Sequence, residues 1–282
     1  FPGVARPSER ELWTALSPDP NLLLGIDGLE PAPKPAGTGE LLPSRRRSLG
    51  PNLSLSYRRP LTIVRGSGAY LYDEEGRRFL DGRNNVPHVG HAHPRVARAA
   101  GRQEATLNTD SRYLHPALND YVERLLERFP EPLDTCWLVC TGSEANELAL
   151  RMARAWTGTK ETVVLGGAYH GNTNALVEAS PYKYRGDGGF EPPEYVHEMP
   201  MPDPYRGRYR GRTRAAGRKY AEHVMRTVGR LAQQGRGPTA FLAEPLLGCG
   251  GQIVPPPGFL EEAFRHVRKA GGICVADEVQ TG

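Results

Sequence analysis

Along the second half of the chain, short continuous apolar runs alternate with stretches in which apolar residues recur every three or four positions. Cys136–Cys140 has the length and apolar content of a buried strand. Ala145, Leu148, Ala149, Met152, Ala153 and Trp156 then fall at helical spacing and predict one packed face. Thr162–Gly166, Phe241–Ala243 and Ile273–Ala276 repeat the strand signature. Tyr220, Val224, Met225, Val228 and Leu231 repeat the helical one, as do Phe259, Leu260, Ala263, Phe264 and Val267, which Gly271-Gly272 ends. The predicted order is strand 136–140, helix 143–156, strand 162–166, helix near 218–233, strand 239–244, helix 258–269 and strand 272–277. Such alternation requires crossover connections. The fold class is therefore α/β, a mainly parallel sheet with helices on both faces. Ligands of these sheets sit at the carboxyl ends of the strands.

The first half reads differently. Leu61–Val64, Ala69–Tyr72 and Arg77–Leu80 alternate like strands around the turn Asp73-Glu74-Glu75-Gly76, which predicts a hairpin or small meander. Leu118, Tyr121, Val122, Leu125, Leu126 and Phe129 form a helical stripe expected in the core. His93-Pro94 places a proline at the first turn of a helix whose Val96 and Ala99 would face inward. Residues 1–51 are rich in Pro, Gly and Arg. Apart from a short helix at Glu9–Leu16, they read as extended chain, including Pro31–Pro35 and Ser44–Arg47. The expected division is a linker over 1–55, a small N-terminal strand unit over 56–105 and a larger domain over 106–282.

Composition narrows the classes. The 282 residues are 38% hydrophobic and 24% charged, enough for a sizeable core, and the net charge of +4 does not demand nucleic acid. Cys136, Cys140, Cys249 and Cys274 form no CxxC pair and are expected as buried reduced thiols of a cytoplasmic protein. No apolar run approaches the ~20 residues of a membrane helix. His88, His91 and His93 invite a metal reading, but Pro94 interrupts them and no neighbouring Cys or carboxylate completes a set, so no metal is expected. Arg206–Arg218 interleaves Arg, Gly and Tyr as RNA-binding segments do; it is read instead as a solvated loop before a helix.

The chemistry concentrates at strand ends. Thr141 followed three residues later by Glu144 is a capping box. With Gly142 and Ser143 it opens a helix whose free N–H groups and dipole favour an anion, above all a phosphate. Asp277 closes an apolar strand, where a carboxylate needs a cationic partner. The set TGSEAN, AYHG, AEP and DEVQTG, at Thr141, Ala168, Ala243 and Asp277 in that order, resembles the class III aminotransferases, pyridoxal-phosphate enzymes of fold type I. The likeness runs from about Pro60 to the last residue.

The resemblance implies a role for each motif. Gly142 and Ser143 hold the cofactor phosphate; Asp277 pairs with the protonated pyridine nitrogen and keeps the ring an electron acceptor. Tyr169 stacks on the ring, His170 supports it or touches the substrate, Val279 packs on the opposite face and Gln280 reaches the phenolic oxygen. Glu244 borders the site. Arg112, by its side chain alone, reads equally as a bidentate clamp for a substrate carboxylate or phosphate and as a surface arginine flanking a helix. The family also needs a Schiff-base lysine beyond the DEVQTG strand. The lysines here are Lys34, Lys160, Lys183, Lys219 and Lys269, and none follows Asp277. The chain is thus expected to be a fragment, inactive alone and weak in binding cofactor, belonging to a homodimer when full length. The expected reaction moves an amino group between an amine or amino acid and a keto acid. NTDSRYLH at Asn108 and PDPYRG at Pro202 resemble the family's phospho-lyase branch, which eliminates phosphate from amino-alcohol phosphates. A non-catalytic scaffold and an RNA-binding module are the remaining readings.

Overall fold

Two helical faces press on one sheet, and the alternation of side chains along its strands decides which face each helix covers. The computed structural model describes residues 37–84 and 86–282. It separates into one unit running up to Glu123 and a second from Arg124 to Gly282. The expected helix at Glu9–Leu16 and the extended Pro31–Pro35 lie outside the described residues.

In the first unit, helix α1 spans Thr38–Ser48, carries Pro43 within it and buries none of its residues. This corrects the extended reading of Ser44–Arg47: Glu40 in the first turn and Arg45, Arg46 and Arg47 in the last complement the helix dipole. Strands β1 (Ile63–Ser67), β2 (Tyr70–Asp73) and β3 (Arg78–Leu80) form an antiparallel meander in that order, as the alternation predicts. Asp73 closes the β2–β3 turn by accepting from the Glu75 and Arg77 amides at 3.1 and 2.8 Å. Helix α2 (Pro94–Thr106) begins at Pro94, but its Val96 is 57% exposed and Ala99 is exposed as well. His91 Nε2 lies 2.6 Å from Asp81 Oδ2, a single carboxylate beside the histidines. Among the described residues no group of three or more His, Cys, Asp or Glu is placed to hold a metal ion.

Helix α3 (Pro116–Leu126) also buries nothing fully, and Tyr121 and Phe129 are exposed. The stripe is present; no described element covers it completely. The same applies to Cys136–Cys140, which forms no strand among the described residues. Trp137, Leu138 and Val139 are 42–58% exposed. An apolar run becomes a strand only when a ladder partner satisfies its backbone, and none is described beside it. The cysteines are free, but Cys140 is exposed and the other three are half-buried, so the expectation of buried thiols fails.

From helix α4 (Gly142–Thr157) onward the order of the predicted elements holds, with two short helices and a strand added before the long helix. It continues through strand β4 (Glu161–Leu165), short helices α5 (Asn174–Glu178) and α6 (Pro181–Tyr184), and strand β5 (Val196–Met199). Helix α7 (Arg214–Gln233), strand β6 (Pro238–Ala243), helix α8 (Phe259–Lys269) and strand β7 (Ile273–Ala276) follow. The sheet order is β5-β4-β6-β7 and every pairing is parallel. On one face Val163, Leu165, Phe241 and Ala243 pack against Tyr220, Val224 and Val228 of α7 and Phe259, Ala263 and Val267 of α8. On the other, Val164, Ala240 and Leu242 pack against Leu150 and Ala153 of α4 and Leu176 of α5. Successive residues of each strand face opposite helices, as the period of two requires. Gly217 lets α7 approach the loop before α8: an added Cβ would sit 2.3 Å from the Pro257 carbonyl oxygen. Among the described residues no helix is long and apolar enough to cross a membrane.

Candidate functional site

Helix α4 opens on the capping box read from the sequence. Thr141 Oγ1 accepts from the Glu144 amide at 3.1 Å, and the Glu144 carboxylate accepts from the Thr141 and Cys140 amides at 3.2 and 2.8 Å. The amides of Gly142 and Ser143 are left pointing out of the helix end, where they and the dipole favour an anion. The buried face of α4 differs from the predicted stripe. It runs through Asn146, Leu150 and Ala153, whereas Met152 is 42% and Trp156 81% exposed. Small and apolar residues occur nearly all round this helix, so spacing alone did not select the face.

Asn146 is the polar residue on that buried face, and it explains the site. Its Nδ2 donates to Asp277 Oδ2 at 2.8 Å and to the His170 carbonyl at 2.9 Å. His170 Nδ1 donates to the same Asp277 oxygen at 2.8 Å. The Val279 amide approaches Asp277 Oδ1 at 3.3 Å. The carboxylate is 6% exposed at residue level and thus sits behind β7 with polar partners rather than alone. The ring of His170 is fully enclosed, and its Nε2 has no hydrogen-bond partner. The His170 amide is held by Ser180 Oγ at 2.9 Å.

Two residues beyond Asp277, Val279 packs on the start of α4. A Cβ on Gly142 would lie 2.6 Å from Val279 Cγ2. Ser143 Oγ accepts from the Asn172 amide at 3.1 Å, and a Cβ on Gly171 would come within 2.8 Å of that oxygen. The carboxylate end and the anion-favouring helix end therefore share one wall. Gln280 completes another: its Oε1 would be 2.3 Å from a Cβ on Gly248. The Gly248 amide donates to Glu244 Oε2 at 2.8 Å, and the Tyr169 amide donates to Glu244 Oε1 at 3.1 Å. Burial pushes the Glu244 carboxyl above the ordinary range against these two hydrogen bonds, with a smaller contribution from the charge of Asp277. The half-buried Tyr169 ring meets Tyr182 edge-on, centroids 6.0 Å apart, and burial raises its phenol as well.

The structure thus gathers Gly142, Ser143, Tyr169, His170, Glu244, Asp277, Val279 and Gln280, all beyond the carboxyl ends of parallel strands or at the start of α4. Arg112 is not among them. It belongs to the first unit, is largely exposed and pairs with Asp110 at 3.2 Å. Asn146 and Ser180 were missed by sequence reasoning. For Asn146 the signal was there: it is four residues before Leu150 and seven before Ala153, a lone amide on a helix face that must be buried.

Residues 54–282 match the family model described as aminotransferase class-III. The chain belongs to the class III aminotransferase family. This family uses pyridoxal phosphate. The chain is 45% identical over 247 residues to an alanine–glyoxylate aminotransferase 2-like protein of Drosophila melanogaster, covering 86% of this chain and 50% of the fly protein. It is 38% identical over 253 residues to an ethanolamine-phosphate phospho-lyase homologue of Caenorhabditis elegans, covering 86% and 54%. The chain spans about half the length of the curated relatives it matches. Among solved structures, a phospholyase from Arthrobacter in complex with phosphoethanolamine superimposes with a TM-score of 0.76 at 38% identity, covering 86% of this chain and 56% of that one.

Proposed function

We propose that this chain carries the cofactor cradle of a pyridoxal-phosphate-dependent aminotransferase, which moves an amino group between an amine or amino acid and a keto acid. One observation carries the reading. The buried Asp277 carboxylate, held by Asn146 and His170, is joined through Val279 to the Gly142 start of α4. A small molecule with a cationic ring nitrogen at one end and a phosphate at the other fits those two poles. When bound, pyridoxal phosphate supplies an electron sink for the bonds at the substrate Cα.

The residues divide the remaining work. Asp277 would hold a proton on the ring nitrogen, and its two donors on Oδ2 fix the position of the carboxylate. Gly142 and Ser143 offer N–H groups to the phosphate, and Gly142 is small enough for Val279 to reach the same wall. Tyr169 offers a ring face for stacking. Glu244 clamps the Tyr169 and Gly248 backbones in place, which orients Tyr169 and the Gln280 side chain beside it. The full-length protein is read as a cytoplasmic homodimer acting on small molecules.

Elimination of phosphate from an amino-alcohol phosphate is the second reading, favoured by the likeness to the Arthrobacter phospholyase at 38% identity. One experiment separates the two. The polypeptide containing this chain is incubated with pyridoxal phosphate and either ethanolamine phosphate, scoring free phosphate, or an amino acid with a keto acid, scoring keto-acid-dependent amine transfer. Amine transfer that is lost in Asp277→Ala supports the first reading. Phosphate release without amine transfer replaces it with the second, and neither product overturns both.

A further inference from the structure

Among the described residues Lys183 is the one lysine beside the gathered side chains, and nothing above uses it. It is exposed at the end of α6, and its Nζ stands 5.5 Å from the centroid of the Tyr169 ring. Among the described residues no carboxylate forms an ion pair with it, unlike the neighbouring Arg185, which binds Glu198 at 2.8 Å. The backbone fixes its approach: the Tyr182 amide donates to the Ala168 carbonyl at 3.1 Å, and the Lys183 amide to Ser180 at 2.8 Å. Ser180 in turn anchors the His170 amide. Its charge also reaches Cys249, where it opposes the upward push of burial and Glu244 on the thiol. The other charged side chains of this wall, Glu244 and Asp277, are buried carboxylates. On this wall Lys183 and the helix end are the places that favour an anion.

We propose that Lys183 is the substrate-anion recognition residue of this site, its ammonium taking the carboxylate or phosphate that the amino substrate carries away from its reacting carbon. The inference rests on the aminotransferase-family reading and deepens it. A compact ammonium with rotatable donors suits either anion as a point charge, without the planar match an arginine fork imposes.

The chain has five lysines, so the test needs no cofactor. Reductive methylation with carbon-13 formaldehyde gives a separate NMR signal for each, and the one missing in Lys183→Arg is Lys183. Inorganic phosphate, phosphoethanolamine and acetate are titrated in turn, with ethanolamine as the control lacking an anion. The expected result is a saturable shift of the Lys183 signal with the anions and none with ethanolamine, while the other four stay still. The ratio of phosphate to acetate affinity then tells which anion the site prefers. Phosphorus NMR of phosphoethanolamine should show about tenfold weaker binding to Lys183→Gln, with recovery in Lys183→Arg. Signals that do not move, or that all move together, overturn the proposal. Because no turnover is read, that failure is distinct from loss of the aminotransferase reading, which rests on Asp277 and the transfer assay.

Discussion

Replacing Asp277 with alanine tests the architecture most directly. The carboxylate accepts from Asn146 Nδ2 and His170 Nδ1, both at 2.8 Å, and more weakly from the Val279 amide at 3.3 Å. All three donors belong to the wall, and Asn146 and His170 are buried. Alanine leaves two good donors without an acceptor where water does not replace it, at about 1–3 kcal/mol each. The two donors together cost about 2–6 kcal/mol, and the missing side-chain volume adds a further loss. Asn146 softens this slightly, since it keeps the His170 carbonyl. Asp277→Asn preserves shape and one acceptor oxygen. With that oxygen in the Oδ2 place it still accepts from Asn146 Nδ2 and His170 Nδ1, and only the weaker Val279 contact is lost. The conservative variant should therefore cost less than half as much. Urea unfolding of the chain followed by far-UV circular dichroism gives both values from the midpoints at constant slope. An alanine variant within about 0.5 kcal/mol of the parent would refute the reasoning, because surface positions behave that way. So would equal losses in the two variants.

Other consequences follow from the same geometry. Thr141→Ala removes the oxygen that accepts from Glu144 and should destabilise the chain by about 1 kcal/mol in the same unfolding experiment. Gly217→Ala forces a Cβ to 2.3 Å from a backbone carbonyl that cannot yield, and should cost roughly 1–3 kcal/mol, read as a drop in Tm. Glu244 gives a pH signature: its folded pKa is raised by burial, so the folded state holds the proton more tightly than the unfolded chain. The stability of wild type relative to Glu244→Gln should fall as pH rises from about 4.5, the ordinary carboxyl value, and flatten above the raised value. A difference that grows over that window contradicts the assignment.

Two kinds of information separated in this chain. Elements whose partners lie close in sequence were legible. The strand at Thr162–Gly166, the helices ending near Gln233 and Lys269, and the Thr141–Glu144 cap appear within a few residues of their predicted places, because their periodicity and capping are local. Strand β5 was not read, since Val196–Met199 is four residues long with His and Glu between its apolar ends and owes its state to pairing with β4. The stripes at Leu118–Phe129 and Cys136–Cys140 failed in the opposite sense: the pattern is strong, but burial belongs to whatever covers it, and no described element does so fully. The site shows the same split. Asp277, His170 and Glu244 announced themselves as carboxylates and an imidazole at strand ends. The residue that binds two of them into one unit, Asn146, is separated from Asp277 by 131 positions. A motif fixes which groups are present at a strand end. Only the crossover connection, by bringing the start of α4 to the segment that follows β7, makes a carboxylate and a helix terminus parts of one binding surface.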